Sequence, residues 1–248
     1  MNFVTHEISS KISTGFLVVR LTLCRFSNAF YPHKSYTLQN QTMPGKLRKP
    51  IAITVLVLCF SIIGFLFWQS EWKYSLPTPV PEQYHTVNKG EHINITAKFD
   101  PQKKEPVFLH FFNPDCPCSR FNMPHFKELV KTYGDKINFA VVVLTKDKDY
   151  NEETIREKYG LTVPVLFDSS LAATCGVYST PQAVLINTDQ ALYYRGNYNR
   201  SRYCTDKKSN YAQMAIDSLL ANRHQPAFNP YALTAYGCSL PGCKKQVQ

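Results

Sequence analysis

Residues 107–112 (Val-Phe-Leu-His-Phe-Phe) form an unbroken apolar run rich in β-formers. The run breaks at Asn113-Pro114-Asp115 and gives way to Cys116-Pro117-Cys118 at the head of an amphipathic stretch. A segment apolar on both faces fits a strand at the centre of a sheet, covered on each side. The order strand, turn, helix then puts a thiol at a helix N-terminus, just beyond the C-terminal end of a strand. Unpaired N–H groups and the helix dipole stabilise a thiolate there, so a cysteine in that place is reactive. A lone cysteine would read as buried filler, whereas two that bracket a proline in a turn point to redox chemistry. His110, inside the apolar run, reads as a core histidine rather than a base, and His125 as an outward-facing residue of the helix.

The rest of the pattern surrounds this element with alternating strands and helices. Residues 92–99 alternate as an edge strand, and 118–133 form the helix, with Phe121, Phe126, Leu129, Val130 and Tyr133 on one side and Gly134 as its stop. Residues 137–144 are a second buried strand, 152–159 a helix ended by Gly160, 163–167 a short strand and 169–175 a short helix. Residues 183–187 and 191–195 form a hairpin about a turn at 188–190, and 208–221 a final helix. The expected fold class is α/β, a mixed sheet flanked by helices on both faces.

Charge and hydropathy divide the chain. Its formal net charge is +10, yet seven of its 28 Lys/Arg and one of its 18 acidic residues fall in residues 1–50, and residues 51–68 carry no charge. The remainder is nearly balanced and shows no basic stripe, which excludes a nucleic-acid binder. The apolar run 51–68 would span roughly 27 Å as a helix, close to the hydrocarbon thickness of a bilayer. Lys46, Arg48 and Lys49 precede it and Trp68 and Trp72 follow it. The positive-inside rule therefore puts the N-terminal side in the cytoplasm and the rest in the periplasm or outside the cell. No small-x-small cleavage site follows, so an uncleaved signal anchor is favoured over a signal peptide. Pro77, Pro79 and Pro81 on alternate residues predict an extended spacer that lifts a domain off the membrane. Residues 1–42 lack any sustained period. They read either as a gene-model extension, with translation starting at Met43, or as a short disordered cytoplasmic tail. The expected organisation is a cytoplasmic segment 1–50, a transmembrane anchor 51–70, a spacer 71–87, a globular domain 88–225 and a cysteine-containing tail 226–248.

With a cysteine-headed helix after the first buried strand, and Tyr178-Ser179-Thr180-Pro181 just before the strand at 183, the chain resembles the thioredoxin fold. Leu192-Tyr-Tyr-Arg195-Gly196 and the tail Thr234-Ala-Tyr-Gly237-Cys238 resemble the redoxin branch of the alkyl hydroperoxide reductase/thiol-specific antioxidant superfamily, over about residues 88–240. The resemblance implies a cis peptide bond at Pro181, facing the reactive cysteine, with Thr180 and Pro117 at the substrate. Two departures stand out. Thioredoxins carry Cys-x-x-Cys; here the first cysteine matches Cys116, the second position holds Ser119, and the extra Cys118 falls one residue early. The proline and threonine or serine that peroxiredoxins place before the peroxidatic cysteine are Leu109 and Asn113 here, which argues against peroxidase chemistry.

Thiol–disulfide exchange needs one exposed, low-pKa sulfur, and Cys116 at the N-cap is the expected nucleophile. Asp115 beside it would raise its pKa and Arg120, one turn in, would lower it. Residues two apart on a helix point to different sides, so the expectation is either an easily reduced Cys116–Cys118 bond or none, with Cys116 acting alone. Cys175 and Cys204 are secondary thiols. Cys238 with Cys243 is the simplest local structural disulfide, and Cys59 is filler in the apolar run. The leading expectation is a membrane-anchored thiol–disulfide oxidoreductase that uses no cofactor or metal. It would act on protein thiols or disulfides, draw on a membrane or periplasmic reductant, and meet the bilayer through residues 51–68. The alternative is a Cu(I) metallochaperone of thioredoxin fold, favoured by two soft thiolates and disfavoured by their spacing.

Overall fold

The computed structural model describes residues 45–95, 105–223 and 226–241. Met43, the segment 1–42 with Cys24, residues 96–99 of the expected edge strand, and Cys243 lie outside them. The chain divides into two units, Met1–Ile51 and Ala52–Gln248; of the first, residues 45–51 are described and are helical.

Helix α1 (Gly45–Phe67) passes through a π-helical turn, Trp68–Trp72, into the short α2 (Lys73–Ser75). Its apolar side chains are exposed all along it, from Ile53 to Phe67, and Leu47–Trp72 is long and apolar enough to cross a membrane by length and composition. The proline-rich segment that follows is extended, as its alternation requires, but it does not hang free. Pro77 bridges to Tyr236, the buried Thr78 donates its backbone N–H to the Ala235 carbonyl (2.8 Å), and its hydroxyl meets that of Ser179 at 2.9 Å. The expected spacer is thus stitched to the C-terminal tail.

Strand β1 (Val107–Phe112) has the predicted bounds and is buried at every residue. It is central: it runs parallel to β2 (Asn138–Val143) and antiparallel to β5 (Gln182–Ile186), and β3 (Val165–Leu166) and β6 (Leu192–Gly196) flank them in a sheet of order β3-β2-β1-β5-β6. Helix α3 (Pro117–Tyr133) returns the chain to β2. Helix α4 (Glu152–Tyr159) then leads to β3 (Val165–Leu166), and α5 (Ser170–Thr174) to β4 (Ser179–Thr180). The hairpin of β5 and β6 (Leu192–Gly196) is followed by α6 (Tyr211–Leu220), α7 (Pro230–Leu233) and β7 (Cys238–Ser239). The last two elements were not foreseen. The described part of 92–99 contributes one bridge, His92 to Ala191.

Alternation along β1 feeds two apolar layers. Phe108, His110 and Phe112 face α3 and α6, while Val107, Leu109 and Phe111 face the layer of Leu171, Cys175 and Val184. Helix α4 begins with a reciprocal cap between Asn151 and Thr154 and ends at Gly160, whose φ of 59° takes the left-handed turn. On α3 the buried stripe is Cys118, Asn122, Phe126, Leu129 and Tyr133, so Phe121 is turned outward, against expectation, onto Tyr203. His125, seven residues after Cys118, comes back to the same buried face and packs against Tyr198, a correction to its outward assignment.

Phe108 is fully buried among the rings of Phe126, Phe139 and Tyr198, at 5.1–6.3 Å between centroids. Phe108→Ala should cost about 3–5 kcal/mol. The check is a lower urea midpoint with an unchanged slope.

Candidate active site

The turn after β1 is built by its own side chains. Asn113 Oδ1 accepts the Asp115 N–H (2.9 Å), and the buried Ser119 hydroxyl accepts the Asn113 N–H (3.3 Å). Ser119, where thioredoxins have their second cysteine, is therefore a structural clasp. Pro117 occupies the first turn of α3, where a missing N–H costs nothing. Cys116 is the N-cap, and it brings its sulfur to the positive end of the helix. The Asp115 carboxylate is turned to Thr145 and Tyr150 (3.3 and 3.4 Å), and Arg120 donates to the Pro114 carbonyl at 3.4 Å.

Facing this turn is β4, which ends in a cis peptide bond between Thr180 and Pro181, as the resemblance implied. Cys116 Sγ lies 3.6 Å from the Thr180 carbonyl oxygen. Strand β7 pairs antiparallel with β4, with Thr180 opposite Cys238 and Ser179 opposite Ser239. A disulfide joins Cys116 to Cys238 across 122 residues, with Cα atoms 6.1 Å apart.

This bond corrects both sequence expectations for Cys116, since it is neither paired with Cys118 nor free. It also corrects the local pairing of Cys238 with Cys243. The first turn of α3 rotates Cys118 away from Cys116, whereas the β4–β7 ladder delivers Cys238 to it. Ring closure between near neighbours made the local pairs attractive in the sequence; a pairing of two residues at each end of a long separation decided the matter. A glycine before Cys238 was the one local signal.

Cys118 is free and buried, and burial raises its pKa while the Arg202 guanidinium pulls it down. It lines a cavity of about 340 Å³ beside Pro181, with Asn197, Arg200, Arg202 and Tyr236 among the walls. Arg202 is held by Glu71 (2.7 Å) and by the Tyr203 hydroxyl (2.6 Å), and sequence reasoning missed it. Cys175 is far from this role: it is fully buried in the opposite apolar layer, and burial pushes its thiol up to about 12. Cys204 donates to Asn122 Oδ1 at 3.2 Å, and burial likewise raises it to about 12. Arg195 of the hairpin motif donates to the carbonyls of Val87 (2.8 Å) and Cys175 (3.2 Å), tying the entry segment to the sheet. Thr180 is fully buried and its hydroxyl oxygen has no hydrogen-bond partner among the described residues.

The chain is similar to known proteins in sequence and in fold. The chain is 28% identical over 153 residues to thiol-disulfide oxidoreductase ResA of Halalkalibacterium halodurans, covering 58% of this chain and 84% of the relative. It is 24% identical over 145 residues to thioredoxin-like protein YneN of Bacillus subtilis, covering 57% and 85%. A hypothetical protein of Sinorhizobium meliloti matches the fold with a TM-score of 0.51 at 16% identity, over 63% of this chain and 96% of that one. The fold is thioredoxin-like, and the relatives are thiol–disulfide oxidoreductases and thioredoxin-like proteins. Residues 84–240 match the family model described as a domain of unknown function, DUF6436, and the chain belongs to that family.

Proposed function

We propose that this protein is a membrane-anchored thiol–disulfide oxidoreductase of the redoxin branch, which exchanges electrons with protein thiols or disulfides outside the cytoplasm. Cys116 is the nucleophile and Cys238, rather than Cys118, the resolving thiol; Thr180, Pro181 and Pro117 line the path of the substrate. The observation that carries the reading is the Cys116–Cys238 disulfide at the N-terminus of α3, against the loop of Pro181. A cysteine there is stabilised as a thiolate and also leaves readily from a disulfide.

The anchor reading is supported by the apolar helix, and its orientation by Lys46, Arg48 and Lys49 on the N-terminal side. The reductant is a membrane or periplasmic dithiol. The working domain extends from the stitched segment near residue 77 to the tail at 239, wider than the 88–225 expected, because both ends pack at the site. The copper-delivery reading is not carried forward, since the curated relatives are a thiol-disulfide oxidoreductase and a thioredoxin-like protein.

The test is exchange between the reduced full chain, in detergent micelles, and a disulfide-containing protein. Wild type should exchange and Cys116→Ser should fall to the uncatalysed rate. Retention of the rate by Cys116→Ser would overturn the reading.

A further inference from the structure

We propose that residues 235–241 are a redox-released strap. While Cys116–Cys238 is closed they occupy the β4 edge, and reduction frees that edge for an extended, cysteine-bearing segment of a substrate protein. This deepens the reading of Cys116 as the nucleophile.

The root of the strap is fixed. Asn197 Nδ2 donates to the carbonyls of Tyr231 (2.7 Å) and Thr234 (2.6 Å), and the Asn197 N–H to that of Ala232 (2.9 Å). Beyond Thr234 the buried Ala235 gives its carbonyl to the Thr78 N–H, Tyr236 bridges to Pro77 and stacks on Tyr231, and the Gly237 and Cys238 carbonyls accept from the Thr78 and Ser179 hydroxyls (3.4 and 3.3 Å). The two-residue ladder with β4, Leu240 against the apolar layer and the disulfide complete the attachments. Hydrogen bonds that can be exchanged for water contribute little each, and a ladder of two residues is not stable alone. The disulfide is the one covalent attachment of the strap, and it ties Cys238 to the β4 edge beyond what this short ladder holds alone.

Where the strap lies is where a partner must lie. Its backbone pairs with Ser179 and Thr180 while its cysteine meets Cys116. A substrate cysteine joined to Cys116, with its own backbone against β4, would fill the same volume. The strap also states what can approach so closely. Gly237 has φ of 142°, and a Cβ on it would overlap the Thr180 carbonyl oxygen, so the residue before the cysteine must be glycine or leave the ladder.

In the reducing direction, the Cys116 thiolate attacks one sulfur of the substrate disulfide. That S–S bond breaks, the other substrate sulfur leaves as a thiolate and takes a proton, and a Cys116–substrate disulfide forms. The Cys238 thiolate then attacks Cys116 Sγ, the mixed disulfide breaks, the second substrate sulfur leaves as a thiolate, and Cys116–Cys238 closes. Two electrons pass from the Cys116/Cys238 dithiol to the substrate; with a substrate dithiol the same steps run backwards. With Cys238 bonded to Cys116, Gly237 lies against Thr180, so the substrate backbone has to leave the edge before Cys238 attacks, while its sulfur is still joined to Cys116. Resolution then completes the ejection of the substrate.

The test uses the full chain in detergent micelles. Amide hydrogen exchange in peptides covering 178–181 and 234–241 should quicken about tenfold or more on reduction. In parallel, the peptide Thr-Ala-Tyr-Gly-Cys-Ser-Leu, activated as a mixed disulfide with an aromatic thiol, is added to reduced Cys238→Ala chain. Coupling to Cys116 is followed by mass. It should be about tenfold faster than for the same peptide with valine in place of glycine. Unchanged protection on reduction, or equal coupling of the two peptides, would overturn the strap. Absence of coupling by either peptide, with the tail still released on reduction, would support the strap and count against Cys116 as the nucleophile.

Discussion

Serine in place of Cys238 should leave the first attack by Cys116 intact and stop the cycle after it. Cys116 keeps its position at the N-terminus of α3, so the thiolate still opens a substrate disulfide. The mixed disulfide then meets a hydroxyl where the resolving thiol stood. Steady-state turnover should fall to about one equivalent per chain, with the covalent complex accumulating in non-reducing gels. Cys118→Ser should keep turnover, because Cys118 faces the cavity and is not bonded to Cys116. If instead Cys118→Ser traps the complex and Cys238→Ser does not, the roles of the two thiols are reversed. The pair of variants separates the pairing seen in the structure from the pairing that the Cys-Pro-Cys sequence suggests.

Acid should destabilise the domain well before its carboxylates are titrated in full. His110 is fully buried on β1, its Nδ1 2.7 Å from the Tyr198 hydroxyl and its ring stacked on Phe126. Burial lowers its pKa from 6.5 to about 3. In the unfolded chain this histidine binds a proton below pH 6.5, and in the folded protein it refuses one until about pH 3. Protons therefore favour the unfolded state across that window. The stability is fully present above pH 6.5 and declines as the pH falls, by up to about 1.4 kcal/mol per pH unit, and roughly 5 kcal/mol is gone by pH 3. Burial lowers His125 in the same direction, which adds to the slope. His110→Leu should flatten the dependence, at a cost at neutral pH of about 1–3 kcal/mol for the unpaired Tyr198 hydroxyl. Urea midpoints between pH 7 and pH 4 for wild type and variant check both. Parallel curves for the two would show that His110 does not carry the effect.

Elements whose signals are local were legible in the sequence. The central strand was readable because a strand covered on both faces must be apolar throughout, and 107–112 is. Helix α4 carried its cap in Asn151 and its stop in Gly160. The cysteine at the head of α3 and the loop of Pro181 were each readable from their neighbours. What the sequence did not disclose lies in contacts between distant segments. The tail from Ala235 to Ser239 is too short to show strand periodicity, and Thr78 gives no hint that it will meet Ala235 and Ser179. Cysteine pairing is set by such contacts, so Cys238 was assigned to its nearest neighbour in sequence and is bonded 122 residues away. Arg202 was missed for the same reason, since its partner Glu71 belongs to the end of the apolar helix.

The most direct measurement is a redox titration of the full chain, in micelles, against buffers of defined thiol-to-disulfide ratio. Samples are quenched by alkylation and the cysteines mapped by mass spectrometry. Cys116 and Cys238 should become alkylated together, in one two-electron transition that coincides with the onset of exchange activity. A Cys116–Cys118 bond in the oxidised chain would contradict the account, as would a Cys116–Cys238 bond that stays closed wherever exchange is observed.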